Sequence, residues 1–237
     1  MIVMKNLKVL RTIALLILII VTYSCKKDTT PDPTPNPQLE TGTLTDIDGN
    51  TYQTIKIGDQ WWMAENFKST HYSDGSPITF FNYADDEANA NIYGRLYTWA
   101  AAMNGAASSN TNPSNVQGIA PDGWHLPSKA EWQELADYLG STAVAGGKLK
   151  ENGNAHWITP NTGATNESMF TALPSGMYAF WKEFQWEGTY SAFIVSTDVS
   201  VSGHPAVVGI KLSYDNVVMV IGEFHPEDAL SVRCVKD

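Results

Sequence analysis

The chain has 237 residues, 43% of them hydrophobic, enough for one sizeable domain with its own core. Its formal charge of −10, with Lys and Arg nowhere clustered, excludes a partner bound through nucleic-acid phosphates. Eight Trp, 10 Tyr and 8 Phe stand in a chain that is only 17% charged, and 18 Gly with 12 Pro point to long loops.

In chain order, the first segment stands apart. Lys5, Lys8 and Arg11 precede an unbroken apolar run over residues 13–21. A bilayer-spanning helix takes about 20 apolar residues, so this shorter run fits the core of a signal peptide instead. Thr22-Tyr23-Ser24-Cys25 follows and resembles a bacterial lipobox, with Thr22 where an aliphatic residue is usual. That resemblance implies cleavage before Cys25, lipid on its thiol, and attachment to a membrane. Loss of Lys5, Lys8 and Arg11 leaves 12 Lys+Arg against 25 Asp+Glu, a charge near −13. Pro31, Pro33, Pro35 and Pro37 then alternate with polar residues. This composition favours an extended polyproline tether at about 3.1 Å per residue. The expected organisation is a signal peptide over 1–24, a tether over 25–39 and a folded domain over 40–237.

Residues 43–47 and 51–57 alternate in polarity around Asp48-Gly49-Asn50, the signature of a hairpin. Asp46, Asp48 and Asn50 also suggest a calcium loop. The twelfth position of such a loop needs a bidentate Glu and is Ile57 here, so the turn explains the same residues. Leu96, Trp99, Ala100 and Met103 recur at helical spacing and predict a short helix. A polar stretch over 82–91 precedes it, and residues 108–117 are expected to be loop.

The next helix is the best punctuated. Ser128 and Glu131 form a capping box, Trp132, Leu135, Ala136 and Leu139 make one apolar stripe, and Gly140 stops it. Glu131 and Glu134 are then cap and outer face rather than an acid–base pair. A weaker helix is expected over 142–150. Beyond it come a strand at 193–197, a hairpin of 207–213 with 217–221, and a final strand at 230–235. In that last strand Leu230, Val232 and Cys234 share one face, which makes Cys234 a buried small hydrophobe. With Cys25 acylated, Cys234 is the one free thiol and no disulfide framework exists.

Several blocks together carry a family resemblance: 46–52, 57–66, Tyr93-Gly94-Arg95-Leu96-Tyr97-Thr98-Trp99, Gly123-Trp124-His125-Leu126-Pro127-Ser128, 170–176 and Ser231-Val232-Arg233-Cys234-Val235. In this order they resemble the Fibrobacter succinogenes major paralogous domain, found in exported lipoproteins. The family is similar to a distant branch of the C-type lectin-like fold, which also holds formylglycine-generating enzymes. The resemblance implies an α+β, C-type lectin-like fold: short antiparallel strands, two or three helices and long loops. It implies a surface-exposed outer-membrane lipoprotein. It also implies that Trp124 and His125 are the bend that delivers the 128–139 helix onto the sheet.

Chemistry is harder to find. The five His show no metal-ligand spacing, there is no Gly-x-Ser-x-Gly, and no glycine loop cradles phosphate. No cofactor, metal or catalytic residue is expected. What stands out is aromatic surface: Tyr178, Phe180, Trp181, Phe184, Trp186 and Tyr190 crowd one stretch without a clear period. Rings of this kind stack on sugars or anchor protein interfaces, or else fill a core under a loop. Tyr178, Trp181, Phe184 and Trp186 are the candidate ligand-binding residues, for a glycan or a protein. The functional expectation is a lipid-anchored binding module without catalysis. An accessory subunit of a surface assembly such as a fimbria is the alternative, ahead of a formylglycine-generating-type enzyme.

Overall fold

A computed structural model describes residues 39–201 and 204–237. The signal peptide, Cys25 and the tether expected from the sequence lie outside the described residues. Leu39–Asp237 is one compact unit.

Its elements are β1 (Thr41–Thr45), β2 (Thr51–Ile57), β3 (Gln60–Met63), α1 (Glu87–Tyr93), β4 (Tyr97–Thr98), α2 (Trp99–Met103), β5 (Trp124–His125), α3 (Lys129–Tyr138), α4 (Thr142–Leu149), β6 (Ser175–Tyr178), β7 (Phe184–Glu187), β8 (Tyr190–Val201), β9 (His204–Ser213), β10 (Met219–Phe224), β11 (Ala229–Leu230) and β12 (Val235–Lys236). The fold is thus mixed α and β, with a few short helices and mainly antiparallel sheets. One sheet has the order β1-β2-β3-β12-β5. The other has the order β10-β9-β8-β6-β11-β4, with β7 paired to β6. The pairing of β6 with β8, at Gly176 and Ser191, is parallel.

Period-two alternation explains how both faces of these sheets are covered. In β2, Tyr52 enters one core cluster, while Ile55 and Ile57 enter the other. In β8, Ala192 and Ile194 join the first cluster, and Phe193 and Val195 the second. Leu230, Val232 and Cys234 share the first cluster, as their spacing implied.

The final strand differs from the sequence reading: it is two short pieces, β11 and β12. The segment between them changes partners. The Ser231 carbonyl accepts from Ile194 N, whereas the Cys234 carbonyl accepts from Met63 N. This crossover stitches one sheet to the other.

Arg233, 1% exposed, is the rivet of that crossover. Its guanidinium donates to Asn66 Oδ1 at 2.6 Å and to the carbonyls of Met63, Phe170 and Thr171 at 2.9, 2.7 and 3.0 Å. It also lies 4.4 Å from the Phe170 ring centroid. Burial pulls its pKa down to about 9. Asn66 donates in turn to the Tyr93 carbonyl and to Ser231 Oγ, which pairs with Ser175 Oγ at 2.8 Å. Residues from separate sequence blocks (Asn66, Tyr93, Phe170, Ser175, Ser231 and Arg233) therefore meet in one buried polar network. That is a scaffold role, since every partner is a neutral acceptor or hydroxyl satisfied inside the protein.

The well-punctuated helix is α3. Ser128 Oγ accepts from Glu131 N at 3.2 Å, and Glu131 Oε2 accepts from Ser128 N at 2.8 Å, completing the capping box. Glu131 is buried and also holds His125, whose Nε2 lies 2.5 Å from Glu131 Oε1 and whose Nδ1 lies 2.7 Å from Asp237 Oδ1. Carboxyl oxygens face both ring nitrogens, an arrangement that favours the doubly protonated imidazole. Burial opposes that charge, but the bonds to Glu131 and Asp237 outweigh it and raise the pKa. His125 thus ties β5 to α3 and to the last residue of the chain.

The expected helix at 96–103 begins only at Trp99, because Tyr97 and Thr98 pair with β11. One helix was not foreseen. The polar stretch before Tyr93 forms α1, capped by Asp86, whose carboxylate accepts from Ala88 N, and ended by Gly94. It buries only Ala90 and Tyr93, too little apolar surface to give a periodic signal. The Asp46 and Asp48 carboxylates serve the β1–β2 turn and its neighbours. Asp46 accepts from Asn50 and Tyr52, and Asp48 from Ser69, Thr70 and His71.

Candidate ligand cleft

The aromatic stretch forms a hairpin. β6 and β7 pair antiparallel, with Tyr178 opposite Phe184 and Met177 opposite Gln185. The turn closes with Ala179 N donating to the Glu183 carbonyl and Lys182 N to the Ala179 carbonyl, and Lys182 takes φ of 69° to make it. Gly176 must be glycine, since a Cβ there would lie 2.2 Å from the Gln185 carbonyl oxygen. Trp186, across from it, has φ of 70°. A bulky side chain held in the left-handed region costs of order 1–3 kcal/mol and is found where geometry is put to use.

The candidate rings divide into two groups. Tyr178 stacks on Phe81 at 4.3 Å between centroids and packs against Phe184 at 4.8 Å; Phe184 meets Tyr83 at 5.0 Å. These two are half-buried supports of the hairpin. Trp181 is 50% exposed and Trp186 38% exposed, and both face one cleft of about 400 Å³. Two further clefts, each about 290 Å³, contain no tryptophan.

The opposite wall and floor of the larger cleft come from β9 and β10, some 30 residues later in the chain. Lys211 pairs with Val220, Gly209 with Gly222, and Val207 with Phe224, so alternate residues of both strands share this face. The two opposed glycines differ, and only Gly222 lines the cleft. The Phe224 ring fills the space above Gly209, where a Cβ would lie 2.5 Å from it. Above Gly222 the space is open: the nearest heavy atom to a Cβ there is Val220 Cγ1, at 3.7 Å. An isolated glycine in a strand marks such a place, a signal available in the sequence. Lys211, Gly222, Phe224 and His225 were not identified from it.

The far end of the cleft is braced by Asp228, which is buried. Its carboxylate accepts from Phe180 N and from His225 N, each at 2.9 Å. This double acceptance holds the tip of the β6–β7 hairpin against the β10–β11 connection. Phe180 stacks on His225 at 4.3 Å, and Trp181 stands edge-on to Phe180 at 5.0 Å. Burial raises the Asp228 pKa, although both backbone N–H groups favour the carboxylate. At the near end, Lys211 Nζ lies 4.8 Å from the Tyr190 centroid and 5.9 Å from that of Trp186. Among the described residues it has no carboxylate partner.

The family model of the Fibrobacter succinogenes major domain matches residues 55–236, more than half of the chain. The protein belongs to that family. No curated protein matches it, and no solved structure does. As a Fibrobacter succinogenes major domain, it places Asn66, Tyr93, Phe170, Ser175, Ser231 and Arg233 of its resemblance blocks in one buried network and His125 and Ser128 at the cap of α3, whereas the cleft is built largely from residues outside those blocks. Cys234 is fully buried, and burial pushes its thiol pKa up, away from nucleophilic use. Among the described residues no group of three or more His, Cys, Asp or Glu side chains is placed to hold a metal ion. No described helix is long and apolar enough to cross a membrane.

Proposed function

We propose that this protein is a non-catalytic glycan-binding module, tethered to the outer membrane through lipid on Cys25 and facing outward. The observation that carries the binding reading is the cleft. Trp181 and Trp186 stay exposed on one concave surface, Asp228 pre-positions the Phe180–His225 stack, and Trp186 is held in a strained backbone conformation. Rigid rings that cost little entropy to immobilise are what a sugar-stacking site requires. The anchor and localisation rest on the Thr22-Tyr23-Ser24-Cys25 motif and the Pro-rich tether, which would hold the cleft away from the lipid. The C-type lectin-like relationship is part of this proposal and rests on the sequence motifs.

A second reading, a subunit of a surface assembly, has one supporting observation. Strand β10 has a sheet neighbour on one side only, and another chain could add a strand along its other side. The two readings separate in one experiment. The full chain is solubilised in detergent and applied to a glycan array as wild type, Trp181→Ala and Trp186→Ala. Glycan signals that both variants lose support the module. Absence of glycan binding together with concentration-dependent self-association in light scattering would favour the assembly subunit. Cys25→Ala should abolish incorporation of labelled fatty acid; unchanged labelling would remove the anchor.

A further inference from the structure

The cleft has two different ends, and their chemistry narrows the ligand. This step rests on the binding reading above. Val220, opposite Lys211, marks the near end, and Phe224, beside His225, the far end. Four steps along the strand separate them, about 13 Å at the usual rise of about 3.3 Å per residue. One aromatic platform, Trp186 with Tyr190, sits at the Lys211 end. The other, Phe180 stacked on His225 with Trp181 edge-on to Phe180, sits at the far end. A single sugar ring cannot touch both platforms; a chain of three or more can.

The charge lies at one end. Lys211 is held by two ring faces, which fix a cation without neutralising it. At the far end the cleft presents the rings of Phe180, Trp181, Phe224 and His225, whereas Glu223, with its register partner Val208, belongs to the other face of the sheet. The platforms lie on the face of the sheet rather than along its edge, so a peptide in the cleft would gain no strand ladder from β10.

We infer that the cleft takes a linear acidic oligosaccharide of at least three units, with a carboxylate- or sulfate-bearing unit against Lys211 and neutral rings stacked toward Phe180, Trp181 and His225. An orientation follows: the acidic unit lies at the Trp186 end, and the chain runs over open Gly222 to the Phe180–Trp181 platform.

The test titrates the detergent-solubilised full chain calorimetrically. The probes are galacturonate oligomers of one to four units, a chondroitin sulfate tetrasaccharide, and neutral cellotetraose. At least one acidic tetrasaccharide should bind at least about tenfold more tightly than cellotetraose, as one charge-assisted contact allows. Its affinity should fall with added salt, and the galacturonate monomer should bind far more weakly than the trimer. Lys211→Gln should erase the acidic preference, so that the acidic probes bind no more tightly than cellotetraose does to the same variant; Lys211→Arg, which keeps the charge, should retain most of it. If cellotetraose binds as tightly as the acidic probes, or if Lys211→Gln keeps the preference, the acidic ligand is wrong while the stacking cleft stands. If none of the sugars binds, and wild type and Trp181→Ala behave alike, the inference and the binding reading fall together.

Discussion

Trp132 offers a sharp test of the packing, because its two halves pull in opposite directions. The side chain is fully buried, with Trp62, Phe193 and Phe170 at 4.7, 5.4 and 5.7 Å between centroids. Trp132→Ala opens an indole-sized cavity. At about 24 cal/mol per Å³ and on the order of 100–150 Å³, that is about 3 kcal/mol, and the lost transfer free energy brings the total to about 5 kcal/mol. Yet among the described residues the indole Nε1 has no hydrogen-bond partner, and a buried orphan donor costs about 1–3 kcal/mol. Trp132→Phe removes that donor and keeps most of the ring. The smaller void offsets the gain, so this variant should stay within about 1 kcal/mol of wild type. Trp62 is the control: its Nε1 donates to Gln60 Oε1 at 3.1 Å, and Trp62→Phe strands that acceptor. Trp62→Phe should therefore destabilise more than Trp132→Phe. Urea unfolding followed by far-ultraviolet circular dichroism measures all three. A loss of 3 kcal/mol or more in Trp132→Phe would refute the reasoning, since it would mean that the indole N–H is satisfied in the folded protein.

The remaining predictions concern the α3 cap, its histidine and the free thiol. Ser128→Ala loses both the acceptor for Glu131 N and the donor to the Thr111 carbonyl, and should cost about 1–2 kcal/mol by the same denaturation assay. The folded pKa of His125 is raised, so its stabilisation is complete below the unfolded value of about 6.5 and is lost as pH rises through the folded value. The melting-temperature gap between wild type and His125→Gln should accordingly narrow from pH 6 upward; a gap that widened would contradict the charged imidazole. Cys234→Ala should cost about 1–2 kcal/mol and leave ligand binding intact, and native Cys234 should react with a disulfide reagent only on unfolding. Fast labelling in the native state would show an exposed thiol.

What the sequence revealed, and what it withheld, follows the range of the interactions. Ser128, Glu131, Trp132 and Leu135 act within three turns of helix, and their spacing carried the signal. The 207–221 hairpin was equally local. The α1 helix was hidden because two buried residues make no stripe; its caps, Asp86 and Gly94, were the only marks. The cleft was half legible. Trp181 and Trp186 announced themselves by density, but Lys211, Gly222 and Phe224 reach them only through the pairing of β9 and β10. Tyr178 and Phe184 shared that density and were grouped with the cleft rings. Their partners, Phe81 and Tyr83, lie about a hundred residues upstream, where no local pattern could point to them.

Gly222→Leu tests the cleft most directly. The position has ordinary strand geometry and open space above it, so a side chain should be accepted with stability changed by no more than about 0.5 kcal/mol. That side chain would occupy the floor between the two aromatic platforms. Titration of the variant with a glycan that the wild-type chain binds should show affinity reduced at least tenfold, with an unchanged unfolding midpoint. Undiminished binding by a fully folded Gly222→Leu protein would place the ligand site elsewhere on the molecule.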